Sequence, residues 1–243
     1  MNLKHTFIFF ISAISLLNFS FAFGQNNEQE KDSVVYKERY GLTLGLDISR
    51  LGRTLWDDNY EGFEIWGDYR FNDDIYLAAE LGYETYTYDE DNLINTTDGS
   101  YIKIGANYNV YDNWIGMQNL IYVGLRYGFA SYSQNLQQYR IYTTDNYFEP
   151  DIRIVDREFN NLTASWIEMK AGLRVEVLRN IFIGVHVQLK SIVAESEITN
   201  FDNLYIPGFN RTYDRSSFGA GWGYSISYLI PIYTKRKTQA VGN

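Results

Sequence analysis

The chain has 243 residues, with 30 acidic and 21 basic side chains for a net charge of −9, and no cysteine. The missing cysteine excludes a disulfide framework, a thiolate zinc site, covalently attached haem and a thiol nucleophile. The acidic balance speaks against a nucleic-acid partner. With 22 Tyr, 15 Phe, 5 Trp and only 3 Pro, the composition excludes a disordered chain.

Residues 1–24 open with Lys4 and His5, run apolar from Phe7 to Phe23, and end in Ala22-Phe23-Gly24. Small residues at the −3 and −1 positions make this a secretory signal peptide cut before Gln25. No cysteine follows the run, so a lipid anchor on cysteine is excluded. Removing 24 of 243 residues leaves 219, the size of one all-β domain. Residues 25–38 are polar and read as a periplasmic lead-in.

After residue 25 no apolar run is long enough for a transmembrane helix, and helical spacing is absent. Alternation recurs instead, in eight stretches: 39–49, 61–71, 75–87, 100–110, 120–132, 163–177, 181–193 and 218–233. In 39–49, Tyr40, Leu42, Leu44, Leu46 and Ile48 share a face; in 181–193, Ile181, Ile183, Val185, Val187 and Leu189 do. No Lys, Arg, Asp or Glu interrupts any of these apolar faces. The opposite faces carry seven acids (Asp47, Glu64, Asp68, Glu80, Glu84, Glu168 and Glu176). They also carry seven bases (Arg39, Arg70, Lys103, Arg126, Lys170, Arg174 and Lys190). In hydrocarbon a lipid-facing Arg or Lys at mid-depth costs roughly 2–4 kcal/mol, so a membrane clears charge from one face only.

A soluble barrel also alternates, with its apolar side inward. Four features favour the membrane. Connections alternate between short (72–74, 112–119, 178–180) and long (50–60, 88–99, 134–162, 194–216). Tyr40, Phe71, Tyr108, Phe129 and Tyr228 lie toward the ends of the apolar stripes, as interfacial girdles do. Glycines gather on the charged face, where a narrow bore is crowded. Acids and bases there balance, as a sealed interior requires. The fold expected is an all-β, eight-stranded antiparallel up-and-down transmembrane β-barrel over 39–233, with both termini periplasmic and a basic tail at 234–243.

The stretches GSYIKIGANYNVYDNWIGMQNLIYVGLRYGFASYSQ (99–134) and NFDNLYIPGFNRTYD (200–214) carry a resemblance that runs from about Lys31 to Tyr233. They resemble a Bacteroidota family of outer-membrane β-barrel proteins known as a domain of unknown function. In architecture the chain is also similar to the OmpA/OmpX class of eight-stranded barrels. The resemblance implies a location and a fold and supplies no catalytic residue.

An eight-stranded bore is about wide enough for side chains to fill. The fourteen charges with His186, Trp66, Tyr76, Tyr122 and Trp166 are therefore expected to plug it as an ion-pair network; a narrow small-solute channel is the alternative. A lipid-modifying enzyme needs a base beside its nucleophile. His186 is the only histidine after the signal peptide, and it faces the bore. Asp57 and Asp58 are loop acids with nothing to position them. In 134–162, alternation at both ends predicts a hairpin projecting beyond the membrane, with Tyr139, Tyr142, Tyr147 and Phe148 as anchors or its edge as a pairing surface. Asp89, Glu90, Asp91 and Asp98 form an acidic loop without EF-hand spacing. The loop holding Phe201, Tyr205, Phe209 and Tyr213 is expected across the barrel mouth, with Arg211 and Arg215 directed at lipopolysaccharide phosphates or the acidic loop. No Walker, Rossmann, His-Glu-x-x-His or Ser-x-x-Lys motif occurs, and no cofactor is expected. The expected role is structural, surface-interacting or in assembly. The expected partners are outer-membrane lipid, lipopolysaccharide and surface proteins, with no nucleic acid.

Overall fold

A computed structural model describes residues 33–113, 117–143, 147, 149, 151–212 and 216–240. The expected signal peptide and most of the expected lead-in lie outside the described residues, as do Phe148, Tyr213 and Arg215. The chain divides into Val35–Lys237 and a second unit of Met1–Val34 with Thr238–Asn243. In the second unit, Ser33–Val34 and Thr238–Ala240 are described, as extended strand.

The elements in order are β1 (Ser33–Asp47), α1 (Ile48–Trp56), β2 (Tyr60–Arg70), β3 (Ile75–Glu90), β4 (Leu93–Asn109), β5 (Leu120–Arg140) and β6 (Ile152–Leu178). There follow β7 (Ile181–Glu195), the short pair β8 (Tyr205–Ile206) and β9 (Asn210–Arg211), and β10 (Phe218–Ala240). β1–β7 and β10 close into one barrel in which each strand pairs with its sequence neighbour and β10 returns to β1. The seam is tight: a Cβ on Gly41 would stand 1.9 Å from the Ile230 carbonyl oxygen, so only glycine fits there.

Alternation sets the faces. On β7, Ile183, Val185, Val187 and Leu189 are exposed while His186, Gln188 and Lys190 are buried. The same sorting holds on β3, where Leu77 and Leu81 point out and Glu80 and Glu84 point in. The wall is thus apolar outside and ionic inside, the arrangement of a membrane-spanning barrel and the reverse of a water-soluble one.

Several expectations are corrected. The 50–60 connection is a helix, not a loop: Asp47 caps α1 by accepting from the backbone N–H of Ser49 (2.9 Å) and Arg50 (3.4 Å). The acidic stretch 88–99 is mostly strand, with β3 and β4 paired as far as Glu90↔Leu93. Asp98 therefore stands four ladder steps from Asp89, roughly 14 Å away along the strand, and accepts from the Ser133 hydroxyl at 2.9 Å. β1 begins within the expected lead-in and β10 continues into the expected tail as far as Ala240. Phe71, Tyr108, Phe129 and Tyr228 are exposed on the outer wall, whereas Tyr40 is fully buried. Its ring stacks on Tyr233 at 5.3 Å, with the Arg70 guanidinium 4.1 Å from its centroid.

At the end opposite the termini, here called the mouth, four strands outrun the barrel. β2–β3 pairing stops at Tyr60↔Tyr86 and β6–β7 pairing at Ala164↔Glu195, but β5–β6 pairing continues to Arg140↔Ile152. Two β-bulges interrupt that extension, where two residues of β6 face one of β5: Asn160 and Asn161 opposite Ser133, and Val155 and Asp156 opposite Gln137. Asn161 (φ 59°) and Asp156 (φ 43°) have positive φ.

Leu125, exposed on the outer face of β5, tests the orientation. Leu125→Arg is expected to destabilise the barrel by about 2–4 kcal/mol in urea unfolding from phospholipid vesicles. A change near zero would mean that this face meets water.

Candidate functional site: the ionic bore and its mouth

The centre of the bore is built around Glu80 of β3. Its carboxylate meets Lys170 Nζ at 2.7 Å, Lys103 Nζ at 2.9 Å and Arg126 Nε at 3.2 Å. Lys103 also bridges to Glu64 (3.2 Å) and Glu168 (3.6 Å). Arg126 donates onward to Asn107 Oδ1 at 2.7 Å and the Ala106 carbonyl at 2.9 Å. Toward the termini, Arg174 pairs with Asp68 at 2.7 Å, and Arg39 reaches across to Glu176 at 2.7 Å. These side chains come from six strands, so the network ties the wall together across its diameter.

The terminal rim is sealed by charge that the alternation pattern misses. Arg70 pairs with Glu38 at 3.1 Å, and Lys237 bridges Glu38 (3.1 Å) and Asp73 (3.3 Å). Asp73 lies in the β2–β3 turn, outside the apolar belt. The Tyr40 hydroxyl first, and Lys237 after it, hold its carboxyl below the usual carboxylate range. That stabilisation is present above the ordinary carboxylate pKa and disappears as pH falls through the lowered one.

The mouth is organised by Glu84, which is fully buried. Its carboxylate accepts from the hydroxyls of Tyr60 and Tyr205 (both 2.9 Å) and the backbone N–H of Gly208 (2.7 Å), and it pairs with Arg50 of α1. Arg50 also meets Glu64 at 3.3 Å. One carboxylate therefore joins the barrel wall, the capping helix and the β8–β9 hairpin. Gly208 adopts φ +80°, with Tyr101 against the side a Cβ would occupy, which explains the Pro207-Gly208 turn. Ile206 and Phe209 are driven into the bore, where they pack with Tyr101, Ala130, Tyr132, Leu162, Ala164 and Trp166. Tyr132 OH and Gln134 Nε2 both donate to Asn203 Oδ1, at 2.7 and 3.0 Å, stitching the loop to β5.

Of the predicted network, three members lie elsewhere in the bonding scheme: Lys190, His186 and Asp47, which caps α1. Lys190 has no carboxylate partner among the described residues; its ammonium donates to the carbonyls of Gly208 (2.8 Å) and Phe209 (3.4 Å), holding the mouth hairpin. His186 is buried with Nε2 3.9 Å from Asp47 Oδ2, beyond hydrogen-bond reach, while the other oxygen of Asp47, Oδ1, caps α1. A void of about 20 Å³ beside His186, and another of about 30 Å³ near the terminal rim, have room for one or two waters apiece. Arg50 in the bore and Glu38, Asp73 and Lys237 at the terminal rim are the members the sequence reading missed. They add two charges of each sign, so the network stays balanced. The available signal for Arg50 was Asp47 itself, a helix-capping residue followed by Ile48, Leu51 and Leu55 at helical spacing.

Of the predicted loop residues, Tyr142 and Tyr147 are 88% and 87% exposed, and Tyr139 is 37% exposed. Arg211 donates to the Tyr88 hydroxyl at 2.6 Å and lies over its ring, near the mouth end of β3. Among the described residues no group of three or more His, Asp or Glu is placed to hold a metal ion.

The sequence matches the family described as Domain of unknown function (DUF6048) over residues 6–235. The chain belongs to this family. No functionally curated protein matches it. In structure it is similar to Ail, the attachment invasion locus protein of Yersinia pestis (13% identity, TM-score 0.37, covering 83% of this chain and 100% of that one). It is also similar to Neisserial surface protein A (10%, TM-score 0.41, 82% and 100%). A third is the N-terminal β-barrel domain of Pseudomonas aeruginosa OprF (12%, TM-score 0.34, 78% and 98%).

Removing one partner of a buried ionic cluster costs about 3–5 kcal/mol. Glu80→Gln strands Lys170 and Arg126, and a loss of that size is expected in urea titration; adding Lys170→Met should recover part of it. No loss in the single variant would show that Glu80 is hydrated and not central to the cluster.

Proposed function

We propose that this chain is an integral outer-membrane protein with its mouth facing the cell exterior, and that its role is to hold a β-ribbon above the membrane for recognition of surface partners. The observation that carries this reading is the extension of β3–β6. From Ala130 to Arg140, β5 runs about 30 Å past the last β6–β7 pair. An exposed ribbon far from the bilayer is under no pressure to be apolar. Yet its tip presents Ile141, Tyr142, Tyr147, Ile152 and Ile154, all exposed. Exposed aromatic and aliphatic side chains grouped on a rigid support are the composition of interface anchors.

Aromatic anchoring is favoured over strand addition. The outer edge of the ribbon is β6, and its two bulges break the regular row of backbone groups that an incoming strand would pair with. A conducting role is disfavoured by the ionic bore, whose voids of about 20 and 30 Å³ have room for only one or two waters apiece. An acyl-transfer role is disfavoured by His186, which is enclosed beside a void of about 20 Å³ and lacks room for a lipid chain.

A photoreactive residue in place of Tyr142 on intact cells is expected to yield a discrete adduct, and Tyr147→Ser with Ile154→Ser should abolish it. Deleting 138–156 should leave membrane fractionation and heat-modifiable gel mobility unchanged. Pure protein should show no steady conductance in a planar bilayer. An adduct indifferent to these substitutions would refute the ribbon's role, and large steady conductance would refute the sealed bore.

A further inference from the structure

The barrel wall is short of a strand at one place. β1 ends at Asp47, and its pairing with β2 ends at Leu46↔Ile65, while β2 itself continues toward the mouth as far as Tyr60. On the other side, a Cβ on Gly223 would come within 2.9 Å of the Asp47 carboxylate, which places the end of β1 beside Gly223. The first residues of β10, Phe218–Trp222, therefore extend past β1 with no strand between them and β2. α1 occupies this gap and lies along the β2 edge. There the Thr54 hydroxyl accepts from the Gly62 N–H (3.0 Å) and reaches the Gly62 carbonyl (3.4 Å). Between α1 and β10 a cavity of about 610 Å³ remains.

Its lining has a definite chemistry. Trp56 of α1 and Trp222 of β10 contribute two indoles that are 74% and 66% exposed. The cations nearby are committed: Arg50 to Glu84 and Glu64, and Arg53 to Asp57 at 2.9 Å and to the Tyr60 ring at 4.0 Å. What remains for a ligand is Asp58 with the side-chain amides of Asn59, Gln188 and Asn210, none of which has a hydrogen-bond partner among the described residues. Gln188 is 96% buried yet lines the cavity. A phosphate would meet three carboxylates, Asp47, Asp57 and Asp58, against two arginines that already carry carboxylate partners. A hydroxyl-rich ligand would meet donors and acceptors on planar groups, with indole faces for its C–H surfaces. Buried amides of this kind discriminate for ligands that satisfy them.

We propose that this notch is a saccharide-binding site, in which Trp56 and Trp222 stack on sugar rings while Gln188, Asn210 and Asp58 hydrogen-bond their hydroxyls. The depth of the notch suggests one source of the sugar. The outward run from Trp222 to Ile232 spans eleven residues, about the 9–11 that a tilted strand needs to cross a bilayer. The notch thus opens at the boundary between hydrocarbon and headgroups, where glycolipid sugars lie. That assignment of depth rests on the membrane reading above; the saccharide chemistry does not.

The test uses the full mature chain in detergent micelles, so that its outcome is independent of how the barrel is inserted in a cell. Lipopolysaccharide core oligosaccharide, free of lipid, is titrated by calorimetry, and intact lipopolysaccharide is titrated in parallel. Saturable binding of either is expected, weakened at least tenfold by Trp56→Ala and by Asn210→Ala, and retained by Trp56→Phe and by the distant control Tyr142→Ala. Unchanged heat-modifiable mobility verifies that each variant is folded. Binding of the intact form alone assigns the sugar to a membrane glycolipid; equal binding of both assigns recognition to the glycan itself. Absence of binding by both, or binding indifferent to Trp56→Ala and Asn210→Ala, overturns the proposal.

Discussion

Charges inside a bore surrounded by hydrocarbon have only one another to answer to. This constraint explains most of what distinguishes the protein. Glu80 gathers Lys103, Lys170 and Arg126 because none of the four can reach bulk water, and each would be costly alone. The same constraint clears charge from the opposite face of every strand, since the outer wall has no counterions to offer. Apolar exterior and ionic interior are therefore two consequences of one solvent arrangement.

The balance changes where the wall leaves the lipid. Within the belt the interior is ionic; at the mouth it becomes apolar, with Trp166, Tyr101, Tyr132, Ile206 and Phe209 forming a small core of the kind found in water-soluble domains. Glu84 stands at the junction and serves both regimes, accepting from wall and hairpin while pairing with Arg50. The hairpin closes the bore by insertion, and Lys190 secures it through backbone carbonyls. The ends of the barrel are thus sealed differently: the mouth by a folded segment, the terminal rim by the ion cluster of Glu38, Arg70, Asp73 and Lys237.

The eight strands were legible in the sequence because lipid imposes a strict two-residue period, readable from stretches such as Ile181–Leu189. Their upper halves were not. Beyond the bilayer the outer face of TYTYDE or NTTDG need not be apolar, so alternation fades although the ladder continues to Glu90↔Leu93. α1 was hidden because Ile48 also continues the alternation of β1, and Asp47 was read as a bore acid when its Oδ1 caps the helix. Faces could be assigned from sequence, but partners could not. Lys190 and Glu168 share a face, yet the Lys190 ammonium donates to a hairpin that arrives from 18 residues later in the chain. Glu38 and Lys237 lay outside the apolar stripes and so outside the pattern.

The central claim is that the apolar face meets lipid and the ionic face is enclosed. Because the chain has no cysteine, single cysteines can be placed along β7 and β10 without background. Spin labels at positions 185, 187 and 226 in reconstituted bilayers should be accessible to oxygen and shielded from a water-soluble nickel chelate. Cysteines replacing Ser225 and Ser227 should resist aqueous maleimide until the barrel is unfolded. Ready collision of the nickel chelate with the labels at 185, 187 and 226 would contradict the account.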